Sequence, residues 1–398
     1  MCHARAVPSA LTPDTISVAF DATPLLVPLT GVGVFCFGAL EGLARRDDLD
    51  VSAFAVSWRR RRGIEAKVPS GVSTGQRAMP ARPLHRAWRR GRVPSVDLFI
   101  GRHDVVHGSN FVVPPTRRGV RVVTVHDLTV LRFPEMCTAA TLEFPGLIRR
   151  AIAEGAWVHT PSHFVADEVR ERFAIDPDRV RAIHHGMPAS SPMLGVGDAD
   201  QVPLVLPEGT SRYLLAIGTI EPRKDYPLLL AAFDRIAKEH PDVALVIVGG
   251  DGWGVEDFAR AFERSTSRDR VLRPGYLSDG ALDQVLRGAA ALAYPSRYEG
   301  FGFPPLQAMA AGVPVVTTSA GAIPEVVGDA ALLSDPGDLD ALVGNLSDVL
   351  SGGASISAMI HRGRERSRQF TWEASAAGLA ELYRDAIAAG GSRPRASA

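Results

Sequence analysis

One carboxylate in this chain stands where it could do chemistry: Glu299, in the stretch SRYEGFGFPPLQAMAAGVP (296–314). Gly300 and Gly302 bracket an aromatic residue after it, and Pro304 and Pro305 follow. Prolines suit the first positions of a helix, where the missing N–H has no intrahelical partner to lose. Gly312 suits the stop. The pattern predicts a short helix over 304–311 between two strands, ALAYPS (291–296) and VPVVTTS (313–319). A helix starting at a strand's carboxyl edge offers free N–H groups and the positive end of its dipole, which favour an anion such as phosphate. The two glycines let the backbone approach closely. Glu299 would repel that anion, so its partners are better sought among hydroxyls of the same ligand. An acid beside an anion hole suits a sugar joined to a phosphate; the bland alternative is a carboxylate that merely caps the helix.

Other residues lie at similar edges. AIGTIEPRKDYP (216–227) puts Arg223 and Lys224 just past a strand, where two cations could neutralise a diphosphate leaving group, or simply be exposed surface charges. LTGVGVF (29–35) places Gly31 and Gly33 in the first strand-to-helix loop. Many dinucleotide-binding folds begin so, but no acidic residue closes the next strand to take a ribose, which weakens a nicotinamide reading. RVVTVHD (121–127) ends in His126 and Asp127, and DVVHG (104–108) carries His107. A histidine at a strand's carboxyl edge can face a ligand, although a lone one is more often structural. DAD (198–200) imitates a metal-binding acidic pair but follows no strand, and chance explains it better.

These residues need a scaffold of strands with common carboxyl edges, and the chain supplies two. Strands are expected at ISVAFDA (16–22), DVSAFAVS (50–57), DVVHGSN (104–110), RVVTVHD, WVHTPS (157–162) and RVRAIHHG (179–186). A second series follows at YLLAIGTI (213–220), VALVIVGG (243–250), VLRPGYL (271–277), ALAYPS and VPVVTTS. Helical segments such as GVFCFGALEGLARR (33–46) and PLLLAAFDRIAKEH (227–240) separate them. Continuous Val/Ile/Leu strands with helical crossovers mean parallel sheets covered on both faces. The expected fold class is α/β, with two doubly wound Rossmann-like domains facing across a cleft. The boundaries expected are 1–190 for an acceptor-binding domain, 191–211 for a Gly/Pro/Ser-rich linker and 212–370 for a nucleotide-sugar-binding domain. A helix and tail, 371–398, would pack back toward the first domain.

Composition narrows the partners. Hydrophobic residues make up 46% of the 398 and charged residues 22%, which describes a core-forming globular chain. The 44 basic and 44 acidic residues cancel, so nothing in the overall charge argues for nucleic acid. Cys2, Cys36 and Cys137 form no metal or disulfide pattern, which fits a reducing cytoplasm. No apolar run approaches the roughly 20 residues of a membrane span, and no signal peptide is evident. One stretch is locally extreme: from Trp58 to Arg92, ten arginines and one lysine face a single glutamate. It reads either as a patch for an anionic membrane surface or phosphorylated acceptor, with Trp58 and Trp88 at headgroup level, or as a solvated arginine-rich loop.

Together these blocks resemble the retaining GT-B glycosyltransferases of family 4 (group 1), over nearly the whole chain. TGVGVFCFGALEGLARR, VVTVHDLTVLRFPE, AIGTIEPRKDYPLLLAAF, YPSRYEGFGFPPLQAMAAGVPVVTT and GAIPEVVGDAALLSDPGD carry the likeness. The resemblance implies a metal-independent hexosyl transfer, with mannosyl favoured, from a nucleotide-diphosphate sugar to an acceptor hydroxyl with retention. It implies no cofactor and no metal ligands. The catalytic set would be His126, Glu299, Lys224 and Arg223. Donor contacts would come from Gly31, Gly33, Gly302, Phe303, Gln307 and Glu325, with His107 and Asp127 on the acceptor side. The acceptor would be a carbohydrate, a lipid-linked sugar or a natural product, and the place of work the cytoplasm or the inner face of the plasma membrane. Two departures stand out. The family's second motif glutamate is Gln307 here, and Thr219 follows Gly218 where many relatives have arginine. A nucleotide-sugar epimerase and a catalytically impaired sugar-nucleotide binder remain alternatives.

Overall fold

The computed structural model describes residues 15–27, 30–58, 63–75, 77–187 and 204–391. The first sheet has seven strands: β1 (Ile16–Asp21), β2 (Leu49–Phe54), β3 (Ser73–Thr74), β4 (Val105–Gly108), β5 (Val120–Thr124), β6 (Trp157–Thr160) and β7 (Val180–Ala182), in the order β3-β2-β1-β4-β5-β6-β7. The second has six: β8 (Arg212–Ile217), β9 (Val243–Val248), β10 (Val271–Gly275), β11 (Ala291–Tyr294), β12 (Val315–Thr318) and β13 (Leu332–Ser334), ordered β10-β9-β8-β11-β12-β13. All strand pairs of the second sheet run parallel. Both orders reverse direction once, beside β1 and beside β8, and it is outside the carboxyl ends at such a switch point that doubly wound sheets bind ligands.

Parallel pairing follows from burial. VALVIV of β9 is buried at every position, because helices cover both faces of the sheet. Neighbouring β8 splits its side chains by the period of two. Leu214 and Ala216 join the core under the helix Tyr226–Glu239, while Tyr213, Leu215 and Ile217 join the opposite core with Leu306 and Met309 of the helix Phe303–Ala311.

The chain divides into two compact units. One comprises residues 1–124, 154–157 and 376–398, the other 125–153 and 158–375. The expected linker lies outside the described residues as far as 203, as do the DAD tripeptide and the tail from 392. Within the first unit, the C-terminal helix Trp372–Gly391 contributes Tyr383, whose hydroxyl lies 2.6 Å from His107 Nδ1.

The arginine-rich stretch corrects one expectation. Residues 59–62 lie outside the described residues, and Trp58 is 60% exposed. Trp88, expected at a membrane headgroup level, is instead buried, and its indole N–H donates to the Pro94 carbonyl at 2.8 Å. The helix Ala81–Arg90 explains why: Leu84 and Trp88, four residues apart, form its inward face, leaving Arg82, Arg86, Arg89 and Arg90 exposed. Among the described residues no helix is long and apolar enough to cross a membrane, and the two described cysteines are free.

Candidate active site

The Glu299 loop leaves the end of β11 and enters the helix Phe303–Ala311, one residue earlier than the proline pattern predicts. Pro304 and Pro305 occupy its first turn, and Gly302 precedes it with φ +116°. A side chain at 302 would be strained by that backbone and would meet Ile323. Gly300 has a different cause from the one expected. A Cβ there would lie 1.8 Å from the backbone carbonyl oxygen of His126, so the glycine is required by a protein contact. That carbonyl-to-glycine contact sets the His126–Asp127 turn directly against the Glu299 loop.

From the neighbouring strand β8, the chain makes a single 3-10 turn, Pro222–Lys224, before the helix Tyr226–Glu239. That turn brings both cations to Glu299. Lys224 Nζ donates to Glu299 Oε1 at 2.7 Å and to the Tyr294 hydroxyl at 2.5 Å, and Tyr294 in turn donates to the same Oε1 at 2.8 Å. Arg223 Nη1 is 2.6 Å from Glu299 Oε2 and donates to the Tyr298 carbonyl at 2.9 Å, while Nη2 pairs with Glu221 Oε1 at 2.5 Å. Glu221, Lys224 and Glu299 are all buried.

This is a balanced cluster of two cations and two carboxylates. Burial by itself would raise the Glu299 carboxyl, but Arg223 and Lys224 overcome it and bring the pKa down to about 2. Burial pulls the Lys224 ammonium below its ordinary value, with the Glu299 charge working against that pull. Burial likewise opposes charge on Arg223, and Glu299 and Glu221 more than compensate, holding the guanidinium firmly protonated. Sequence reasoning missed Glu221, Tyr294 and Tyr298. Each sits within five residues of a residue it singled out, and their roles appear only once the two loops meet. Tyr298 anchors the loop: its hydroxyl donates to Glu168 and accepts from Leu128 N at 3.0 Å.

The remaining expected residues distribute as follows. His126 is half-buried, with its ring 5.7 Å from that of His185. Asp127 accepts from Thr129 N at 2.9 Å. Phe303, the first residue of its helix, stacks on His185 with ring centres 5.5 Å apart, and Gln307 is half-buried one turn further in. Glu325 places its carboxylate against the main-chain N–H groups of His163 and Phe164 and against His184. In the first unit, Gly31 and Gly33 open the helix Gly31–Ala44 after β1. His107 is fully buried there, with its ring nitrogens at Tyr383 and at Thr124 Oγ1, 2.8 Å away. A ring so enclosed holds strands and helix together and presents no face to an acceptor.

Two doubly wound parallel sheets of this order, with an acid and two cations at a switch point, define the chain as a GT-B protein. The profile of Glycosyl transferases group 1 matches residues 203–366, and that of Glycosyltransferase Family 4 matches residues 29–190. The chain belongs to this glycosyltransferase family. It is 28% identical over 379 residues to the O-antigen chain mannosyltransferase B of Escherichia coli, covering 90% of this chain and 97% of the relative. Among solved structures, sucrose-phosphate synthase from Thermosynechococcus elongatus superposes with a TM-score of 0.69 at 20% identity, covering 94% of this chain and 100% of the other. HepE of Anabaena, solved in complex with UDP-glucose, gives 0.65 at 16% identity over 92% and 98%.

Proposed function

We propose that the protein transfers a hexosyl group, with mannosyl favoured, from a nucleotide-diphosphate sugar to an acceptor hydroxyl with retention at the anomeric carbon. The observation that carries this is the carboxylate of Glu299 clamped between Arg223 and Lys224 beside the start of the helix Phe303–Ala311. Those two cations balance Glu299 and Glu221, so the cluster by itself has little net charge. A sugar hydroxyl donating to Glu299 releases cationic N–H groups for the diphosphate. Sugar and phosphate are thus recognised together, which suits a ligand in which they are joined.

When the glycosidic bond breaks, charge builds on the departing diphosphate while the sugar becomes oxocarbenium-like. Lys224, Arg223 and the helix N-terminus meet that charge, a role that asks for no divalent cation at the diphosphate. His126 stands against the same loop, where it can contact the donor sugar. The departing phosphate takes the acceptor's proton, and attack from the face it leaves gives retention. The mannosyltransferase relative and the UDP-glucose complex of the structural neighbour support a hexose nucleotide as donor. The O-antigen chain mannosyltransferase relative supports a carbohydrate or lipid-linked acceptor, for which the exposed arginines of Ala81–Arg90 offer an anionic-surface contact.

A thermal-shift panel of UDP-, GDP- and ADP-hexoses tests the reading, followed by transfer assays with the donor that stabilises most. One sugar nucleotide should raise the Tm by several degrees and give an α-linked product from an α-linked donor. Stabilisation by none of them, or product release at full rate without any acceptor, would overturn it.

A further inference from the structure

A second group of chemistry-bearing side chains lies outside the Glu299 cluster. His163, His184 and Glu325 each offer one ligand atom, and the three atoms lie within 4.8 Å of one another. They come from three elements: the first turn of the helix His163–Phe173, the segment after β7, and the helix Ile323–Val327. We propose that His163, His184 and Glu325 form a binding site for a borderline divalent transition cation of the zinc type, built from residues other than those of the Glu299 cluster and lending stability to the second unit.

The donor set points to that class. Two imidazoles and one carboxylate suit zinc, whereas magnesium and calcium take oxygen ligands. The carboxylate is already oriented, because Glu325 accepts from His163 N at 2.8 Å and Phe164 N at 3.0 Å, as outer-shell donors orient a metal-binding carboxylate. Arg366 fixes the helix behind it by donating to the Glu325 carbonyl at 2.6 Å. His184 packs against Phe301 and Phe370, with ring centres 6.3 and 5.3 Å away. Only small movements are needed. His184 Nε2 and Glu325 Oε1 stand 2.6 Å apart, and bond lengths of about 2.0–2.2 Å from a shared cation need a slightly wider spacing. His163 is exposed, so its ring can turn inward and the cation has an entry path. Three protein ligands leave one position for water.

The alternative is a plain His184–Glu325 hydrogen bond beside a helix cap, and the two differ in what His163 does. The full chain, free of any histidine tag and stripped with chelator, is titrated with Zn2+ by calorimetry and with Co2+ by visible absorption, alongside thermal melts. Expected are one saturable equivalent, Co2+ bands of a nitrogen- and oxygen-bound ion, and a raised Tm. His163→Ala, which leaves the His184–Glu325 pair in place, should weaken binding by about tenfold or more and abolish the Tm gain. Absence of saturable binding below roughly 1 mM, well short of the affinities of structural zinc sites, or equal binding by His163→Ala, would overturn the site. Neither outcome bears on sugar transfer, which is read separately.

Discussion

Glu299 is a buried carboxylate held by Arg223, Lys224 and Tyr294, and removing any one partner leaves the others imperfectly balanced. Lys224→Ala keeps the Arg223–Glu299 pair, so the loop retains an anchor while a cation at the leaving group is lost. Turnover should fall roughly 100-fold or more, by analogy with removing one preorganised donor to a developing charge. Near-normal kcat in that variant would sink the assignment. Gln307→Glu tests the departure from the family's motif. Restoring a charge-assisted hydrogen bond should tighten donor binding by about 1 kcal/mol, read as a lower Kd for the cognate sugar nucleotide.

Elements decide how these side chains meet. The Glu299 loop is fixed by its backbone, with Gly300 against the His126 carbonyl, Ser162 Oγ donating to the Gly300 carbonyl at 2.9 Å and Ala322 N donating to the Glu299 carbonyl. Gly300→Ala forces a methyl group into a backbone carbonyl, and neither side can yield as a flexible side chain would. The cost should be about 3 kcal/mol, at the upper end for overpacking, with loss of sugar-nucleotide binding. A melting temperature within a degree of the parent would show the loop to be more compliant than its geometry implies. The helix that follows was legible in the sequence, because two prolines and a closing glycine specify its ends by local sterics. The reason for Gly300 was not, since its partner lies far along the chain at His126.

At the scale of the whole molecule, buried histidines couple stability to pH. His159 is fully buried, and burial lowers its pKa from 6.5 to about 3, against the hydrogen bond to the Ile183 carbonyl. Between about pH 3 and 6.5 the folded state therefore binds fewer protons than the unfolded chain. The stability tied to the neutral ring is complete above that value and drains away on acidification, by about 3 kcal/mol from pH 6.5 to 4. Asp21 acts in the opposite sense: burial raises its carboxyl to about 6, so protonation in that range favours the fold. Comparing the chain with His159→Gln separates the two. The parent's Tm should fall more steeply than the variant's between pH 7 and 5, and parallel slopes would remove His159 as the cause.

What the sequence determined alone is what short-range sterics and periodicity can specify: the alternation of apolar strands and amphipathic helices, a helix at 304–311 that falls one residue short of the observed start, and the edge positions of Glu299, Arg223, Lys224 and His126. Those follow because a residue's backbone options and its place in a two- or 3.6-residue repeat need no knowledge of distant chain. The tertiary structure decided the partners. Only the adjacency of β8 and β11 joins Glu221, Tyr294 and Glu299 into one charge-balanced cluster, and only folding brings His163, His184 and Glu325 together from positions up to 162 residues apart. It also turned Trp88 inward and enclosed His107. Burial and pairing are properties of packing, and a linear pattern records which residues can be buried, not which will face each other.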